Sequence, residues 1–364
     1  MTAQVERRTE IQWLRALAAC EVVICHSNLL TKHFTTGTIT PSWYQPLSAI
    51  GVELFFVVSG YVICMRVGPS QKAGAFLGSR ILRLYPMYWI FTSLAVIAYL
   101  LNPTWHLNNF APDFVSMAKS YLILPQMGFP ILGVGWTLEY EMIFYGSVAV
   151  MLLTIGGSNS AKLLLAWLLA ALGAIGIIMG GPPSPMIAGA PGAGSNAILS
   201  HIFSPFMLAF GFGWLMRLLE EMKPHERGLN ALPFGLLAIT PLWLAPEWGL
   251  LSSYRIGVAS LIFAIFISCR RIFVDDALNR FVWKLGDASF SIYLSHWLVL
   301  SACGKLLGRF DIPASFDVPV RIVGIAFSIA VGVLVFVTVE KPIDRRLRRR
   351  SPVIPAGKPV PSAL

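Results

Sequence analysis

The stretch EVVICHSNLL, residues 21–30, places His26 inside an apolar run. An ionisable side chain is costly in such a setting and marks a functional site by default. An imidazole there can work as a general base or as a nucleophile. Arg15 precedes it by 11 residues, about 16 Å along a single helix. Glu53, in AIGVELFFVVSGYVI, lies about as far from the outer end of the next apolar run. A carboxylate at that depth would orient the imidazole and stabilise its protonated form. A structural His–Glu pair joining two helices would use the same two residues without chemistry. Glu21 falls on a different helical face from His26 and is not paired with it.

Three further stretches carry polar groups into apolar surroundings. FLGSRILRLYPMYW, residues 76–89, sets Arg80 and Arg83 at i, i+3 on one face at the cytoplasmic start of a span, fixed by Tyr85, Pro86, Tyr88 and Trp89. Two adjacent guanidinium groups suit phosphate oxygens; membrane topology and anionic lipid head groups are the competing use. GWTLEYEMIFY, residues 135–145, holds Glu139 and Glu141 among Trp136, Tyr140 and Tyr145. Carboxylates at i, i+2 point apart on a helix, so at most one faces a shared cavity unless the helix breaks near Gly133 or Gly135. Aromatic rings beside a carboxylate can hold a sugar hydroxyl; interfacial anchoring is the other reading. LGDASFSIYLSHW, residues 285–297, is unusually polar, with Asp287, four hydroxyl residues and His296. Hydrogen bonding between helices accounts for its serines, and His296 alone reads as structural.

The elements that carry these residues follow from composition. The chain has 364 residues, of which 56% are hydrophobic and 13% charged, against about 25% charged in a soluble domain. Its mean hydropathy is +0.68. The expected fold is all-α: a polytopic membrane helix bundle of about ten transmembrane helices with both termini cytoplasmic. Ten apolar segments lie near 11–30, 47–66, 84–101, 133–155, 162–180, 201–219, 231–246, 251–269, 286–303 and 319–339. Residues 113–128 read as an interfacial or re-entrant piece. With the N-terminus inside, about 22 of the 28 Lys and Arg fall on the cytoplasmic side, the exceptions being Lys32, Lys119, Arg255, Lys305, Arg309 and Arg321. The net charge of +10 therefore reads as membrane topology and not as nucleic-acid binding.

One membrane domain, 1–345, is followed by a basic tail, 346–364, that reads as disordered. The Gly- and Pro-rich stretch 180–197 reads as an outer linker or lid. No cleavable signal peptide is evident. The five cysteines form no CxxC pair, and the six histidines show no paired ligand spacing, so no metal site is expected.

Taken in order, IQWLRALAACEVVICHS, GVELFFVVSGYVI, FLGSRILRLYPMYW, GWTLEYEMIFY, LGDASFSIYLSHW and VEKP resemble the integral-membrane acyltransferase family 3 over nearly the whole chain. The section YLILPQ…PILGVGWTLEYEMIFY resembles most the branch that acetylates sugars during bacterial exopolysaccharide synthesis. The resemblance implies a bacterial inner-membrane enzyme that transfers an acyl group, usually acetyl from acetyl-CoA, to a carbohydrate hydroxyl. It makes His26 the catalytic residue, matches Arg15 to the arginine of the same span, and links Arg80 and Arg83 to the acyl donor. Glu141 matches the glutamate of W-[ST]-L-x-x-E, and Glu53 keeps an acidic position. Met142 stands where many relatives carry a second acidic residue, which leaves the role of Glu139 open.

These readings combine into one expected mechanism. The phosphates of CoA dock near Arg80, Arg83 and Arg15, and its pantetheine arm reaches between helices to His26. His26, oriented by Glu53, activates a sugar hydroxyl arriving from the outer side, or takes the acetyl group itself. Trp136, Tyr140 and Glu141 contact the acceptor, which is free or lipid-linked, and polysaccharide synthesis machinery and membrane lipid are the expected partners. The rival readings are a transporter or flippase for a lipid-linked saccharide, for which two similar halves would be expected and none is found, and a non-catalytic partner of a polysaccharide synthase, which would tolerate loss of His26.

Overall fold

The computed structural model describes residues 8–31, 50–102, 114–178, 196–222, 247–268 and 277–350, with side chains omitted at 247–253 and 348–350. Among these residues every regular element is helical. In chain order they are α1 (Thr9–Cys25), α2 (Asn28–Thr31), α3 (Gly51–Arg66), α4 (Ala73–Leu101), α5 (Phe114–Leu122), α6 (Trp136–Thr154), α7 (Asn159–Ile178), α8 (Ala197–Ile202), α9 (Phe206–Met222), α10 (Glu247–Ser268), α11 (Ala277–Leu307), α12 (Asp317–Val335) and α13 (Lys341–Arg350). A 3-10 turn, Gly133–Gly135, leads into α6, and a π turn, Phe336–Glu340, joins α12 to α13.

Among the described residues, five stretches are long and apolar enough to cross a membrane: Thr9–Thr31, Ala73–Leu101, Asn159–Ile178, Ala277–Leu307 and Ala314–Leu347. Helices α3, α6, α9 and α10 coincide with four more of the apolar segments read from the sequence. The segment 231–246, most of the Gly- and Pro-rich stretch 180–197, and residues 351–364 of the tail lie outside the described residues. Large apolar side chains such as Leu101 of α4, Trp167 of α7 and Val323 of α12 are exposed. With no water-soluble surface to build there, such a perimeter faces lipid.

Helix α4 starts 11 residues before the expected 84. Pro86 lies inside it and does not end it, because an apolar environment favours keeping the remaining backbone bonds within the helix. Arg80 and Arg83 therefore sit within the helix and not at its start. Helix α11 likewise runs 31 residues, well beyond the expected 286–303.

The interior forms where α3 packs on α9 and α1 packs on α3 and α11, with α7 covering α9 and α12 covering α11. At the α3–α9 crossing, a Cβ on Gly60 would run into the Phe210 carbonyl, and one on Gly213 into the Val57 carbonyl. Two backbones in contact at facing glycines is how helices associate closely without a hydrophobic driving force. Phe144 and Phe210 stack at 4.5 Å beside this crossing. At one end of the bundle, Trp214 donates to the Lys162 carbonyl at 2.8 Å, and Lys162 pairs with Glu221 at 2.8 Å. Arg8 and Arg217 meet Glu220 at 2.9 and 3.1 Å in the same network, which also takes in Tyr61.

Candidate functional site

Helix α1 is unbroken from Thr9 to Cys25 and ends at His26, whose φ of −88° and ψ of 4° turn the chain into α2. Arg15 and His26 are thus fixed at about the 16 Å that helical rise demands. The turn is clamped from α12. Arg321 donates to Ser27 Oγ at 3.2 Å and to Thr31 Oγ1 at 2.9 Å, and pairs through Nε with Asp317 at 2.7 Å. All four residues are buried. An ion pair in such a place is kept only with its remaining donors satisfied, and here those donors hold the residues flanking His26.

His26 itself is only partly buried. Its Nδ1 lies 2.9 Å from the Val22 carbonyl and 3.3 Å from Nε2 of His296, which comes from the middle of α11. The Trp297 ring stands edge-on to the imidazole at 5.1 Å. Glu53 is not among these partners. It is buried in α3, has one carboxylate oxygen without a hydrogen bond, and lies in the field of Arg255 and Glu21. The expected contact between Glu53 and His26 is therefore not made; the residue facing the imidazole is a second histidine.

Toward the other end of α1, the three arginines read from the sequence do come together. Arg15 interacts electrostatically with Arg83, Asp287, Glu340 and Glu141, yet makes no hydrogen bond or ion pair with a described residue. Arg83 pairs with Glu340 at 2.5 Å and with Asp344 at 3.3 Å, and its guanidinium lies over the Phe290 ring. Glu340 is almost fully buried and also accepts from Ser291 Oγ at 2.5 Å. Arg80 lies over Phe76 and bonds only Ser79 beside it, at 3.2 Å. Of the three, Arg15 and Arg80 form no ion pair with a carboxylate among the described residues, while Arg83 is committed to the C-terminal elements.

Glu141 and Glu139 diverge as i, i+2 spacing requires. Glu141 accepts from Ser59 at 3.0 Å and from Tyr145, in the field of Arg80 and Arg83. Glu139 points the other way, to Gln126 at 3.0 Å and His201 Nε2 at 3.0 Å, almost fully buried. Trp136 and Tyr140 belong to this second side. Tyr140 stacks on His201 at 4.3 Å, and Trp136 meets Tyr140 edge-on at 5.9 Å. A cavity of about 580 Å³ opens beside Gln126, lined also by Lys119, Leu124, Asn196 and Ile198. Glu141 therefore shares a side with the arginines, whereas Trp136 and Tyr140 lie with Glu139.

His296, Ser291, Tyr145 and Glu340 stand in stretches the sequence singles out, but their partners here do not show in it, and the Asp317–Arg321 pair is missed. A signal existed for the last, since acid and base at i, i+4 at the start of a helix attract each other. His296 had only the polarity of its span. Among the described residues no group of three or more His, Cys, Asp and Glu could hold a metal ion.

The fold and site thus define an integral membrane protein whose helices bring a histidine and an arginine cluster to one interior, and the comparisons with known proteins fit that class. An acyltransferase domain family matches residues 8–338, and the chain belongs to that family. It is 26% identical over 345 residues to the exopolysaccharide production protein ExoZ of Rhizobium meliloti, covering 87% of this chain and 93% of that one. It is 25% identical over 388 residues to the acyltransferase MdmB of Streptomyces mycarofaciens, covering 99% and 97%. No solved structure matches significantly.

Proposed function

We propose that the protein moves an acyl group, acetyl in the simplest case, from cytoplasmic acyl-CoA to a hydroxyl of a surface or exported carbohydrate. The observation that carries this reading is the continuous α1. It holds Arg15, with no hydrogen bond or ion pair to a described residue, and His26 about 16 Å apart, a distance an extended pantetheine arm spans. Phosphate oxygens of the donor would meet Arg15 and Arg80, with Arg83 adjoining. His26 takes the proton of the acceptor hydroxyl as its oxygen attacks the thioester carbonyl. The C–S bond then breaks, and the CoA thiolate leaves with that proton. In the two-step variant, the imidazole nitrogen attacks the thioester carbonyl, the C–S bond breaks and CoA leaves; the acceptor hydroxyl then attacks the acyl-imidazole, the C–N bond breaks, and the hydroxyl proton returns to the freed imidazole nitrogen. In either route the acyl group crosses while CoA stays behind.

The positive-inside pattern supports ten spans in the bacterial inner membrane with both termini cytoplasmic. The relative named for exopolysaccharide production supports a saccharide acceptor, free or lipid-linked, and partners in polysaccharide synthesis. Trp136 and Tyr140, on the side of the cavity beside Gln126, and Glu141, on the arginine side, are the proposed acceptor contacts. Glu53 belongs to this reading as a buried acid of the neighbouring helix and not as a direct partner of His26.

The test is transfer from radiolabelled acetyl-CoA to host polysaccharide in membranes carrying wild type or His26→Ala at matched abundance. Label reaching saccharide with the wild type alone is the expected result. Equal labelling in both removes His26 from the chemistry. No labelling in either, across a range of donors and acceptors, favours a transporter or flippase.

A further inference from the structure

The Nδ1 of each histidine has its proton fixed by a backbone carbonyl, which can only accept. His296 Nδ1 lies 2.5 Å from the Tyr293 carbonyl, so it carries a hydrogen and donates it. In the neutral ring, Nε2 of His296 is then a bare lone pair, and it faces His26 Nδ1 at 3.3 Å. His26 Nδ1 also lies 2.9 Å from the Val22 carbonyl, so this nitrogen too must be the protonated one. Its hydrogen is shared between that carbonyl and His296, and the Nε2 of His26 is left as the basic nitrogen.

We propose that His296 is the positioning residue for His26: a neutral second histidine that fixes the reactive tautomer and stabilises the imidazolium formed during transfer. The inference rests on the acyl-transfer reading above. Three features make His296 suited to the role. It is fully buried, it comes from the middle turns of α11, which pack along α1, and its carbonyl bond prevents its ring from turning over. A proton on His296 Nε2 would point at the hydrogen already on His26 Nδ1. The two rings therefore share one positive charge at most, and it resides on His26, the less buried ring. In the acid–histidine arrangement of a triad the orienting group is an anion. Here it is an uncharged lone pair, which costs less to keep in an apolar interior than a carboxylate.

The test compares wild type with H26A, H296F, H296Q and H296N in the acetyl-transfer assay, at matched abundance and with thermal midpoints measured in detergent. Gln places its terminal amide where Nε2 stood and can still accept from His26. Asn reaches only the Nδ1 position and keeps only the carbonyl bond. The expected result is that H296F loses about 100-fold in kcat, with donor KM changed by no more than about twofold. H296Q should recover at least about tenfold of that loss, and H296N should stay with H296F. Wild-type kcat in H296F, or equal rates for H296Q and H296N, overturns the role of His296. Equal activity of wild type and H26A overturns the role of His26 on which the proposal rests, and an inactive wild type instead overturns the acyl-transfer reading beneath it. Because Phe fills the space of the imidazole and Asn does not, a shared loss in H296F and H296N that H296Q recovers reports the acceptor at Nε2 and not loss of packing.

Discussion

Removing the charge of Arg83 should destabilise the protein by leaving Glu340 buried without its cation, and the size of the effect follows from the geometry. The pair is separated by 2.5 Å; Glu340 is 1% exposed and Arg83 28% exposed. At an effective dielectric constant of about 20, Coulomb's law gives the pair about 7 kcal/mol. Exposure of the guanidinium screens part of this, and breaking one partner of a buried pair costs about 3–5 kcal/mol. Arg83→Gln should therefore lower the thermal midpoint of the detergent-solubilised protein by roughly 5–10 °C. Glu340→Gln keeps a hydrogen-bonding group for Ser291 and leaves the partly exposed Arg83 still meeting Asp344, so it should cost less. The double variant R83Q/E340Q should regain at least about 2 kcal/mol relative to the sum of the single changes. Additive losses, with coupling under about 0.5 kcal/mol, would refute the claim that Arg83 holds the C-terminal elements through Glu340. The same variant separates two roles. If the double variant folds as well as wild type but cannot use the donor, Arg83 also binds substrate; if it transfers acetyl normally, its work is structural.

Arg15→Gln should behave in the opposite way. With no hydrogen bond to a described residue to lose, it should leave the thermal midpoint nearly unchanged and raise donor KM by about ten- to 100-fold, the worth of a charge-assisted hydrogen bond; steady-state kinetics against acetyl-CoA checks this. Arg321→Leu strands the buried Asp317 and frees the turn that follows His26, so it should cost about 3–5 kcal/mol, whereas the pair change R321L/D317L should restore much of the midpoint. Gly213→Leu forces a side chain into the Val57 carbonyl. It should abolish accumulation of folded protein, measured as the monodisperse fraction on size-exclusion chromatography, while Gly146→Leu, where a Cβ meets open space, should not.

Periodicity and composition are enough to place most of the described helices, because a lipid-facing surface demands long apolar runs that few other folds produce. They misplaced the start of α4, since RLYP looks like a helix beginning when seen without the helix that precedes it. The arginines were legible as a group because their cost in an apolar span makes them stand out singly. Partnerships were not legible. Glu53 and His26 share a depth by simple counting, but rotation of α3 about its own axis decides what each side chain meets, and Gly60 against Phe210 sets that rotation from a helix more than 140 residues away in the sequence. His296 was hidden for the same reason. Whether a histidine in a polar span is a strut or a neighbour of the reacting group depends on how α11 lies along α1.

The π turn at Phe336–Glu340 carries a consequence for how this protein tolerates change. A π turn holds one residue more than the α-helical ladder around it, so everything after it is turned by about 100° relative to an uninterrupted helix. Glu340 and Asp344 face Arg83 only in that phase. The segment behaves like the offset key of a lock: substitutions along α13 change single contacts, but loss of one residue between 336 and 339 would re-aim the whole helix at once. Insertions and deletions, usually harmless near a chain's end, are here the more disruptive kind of mutation.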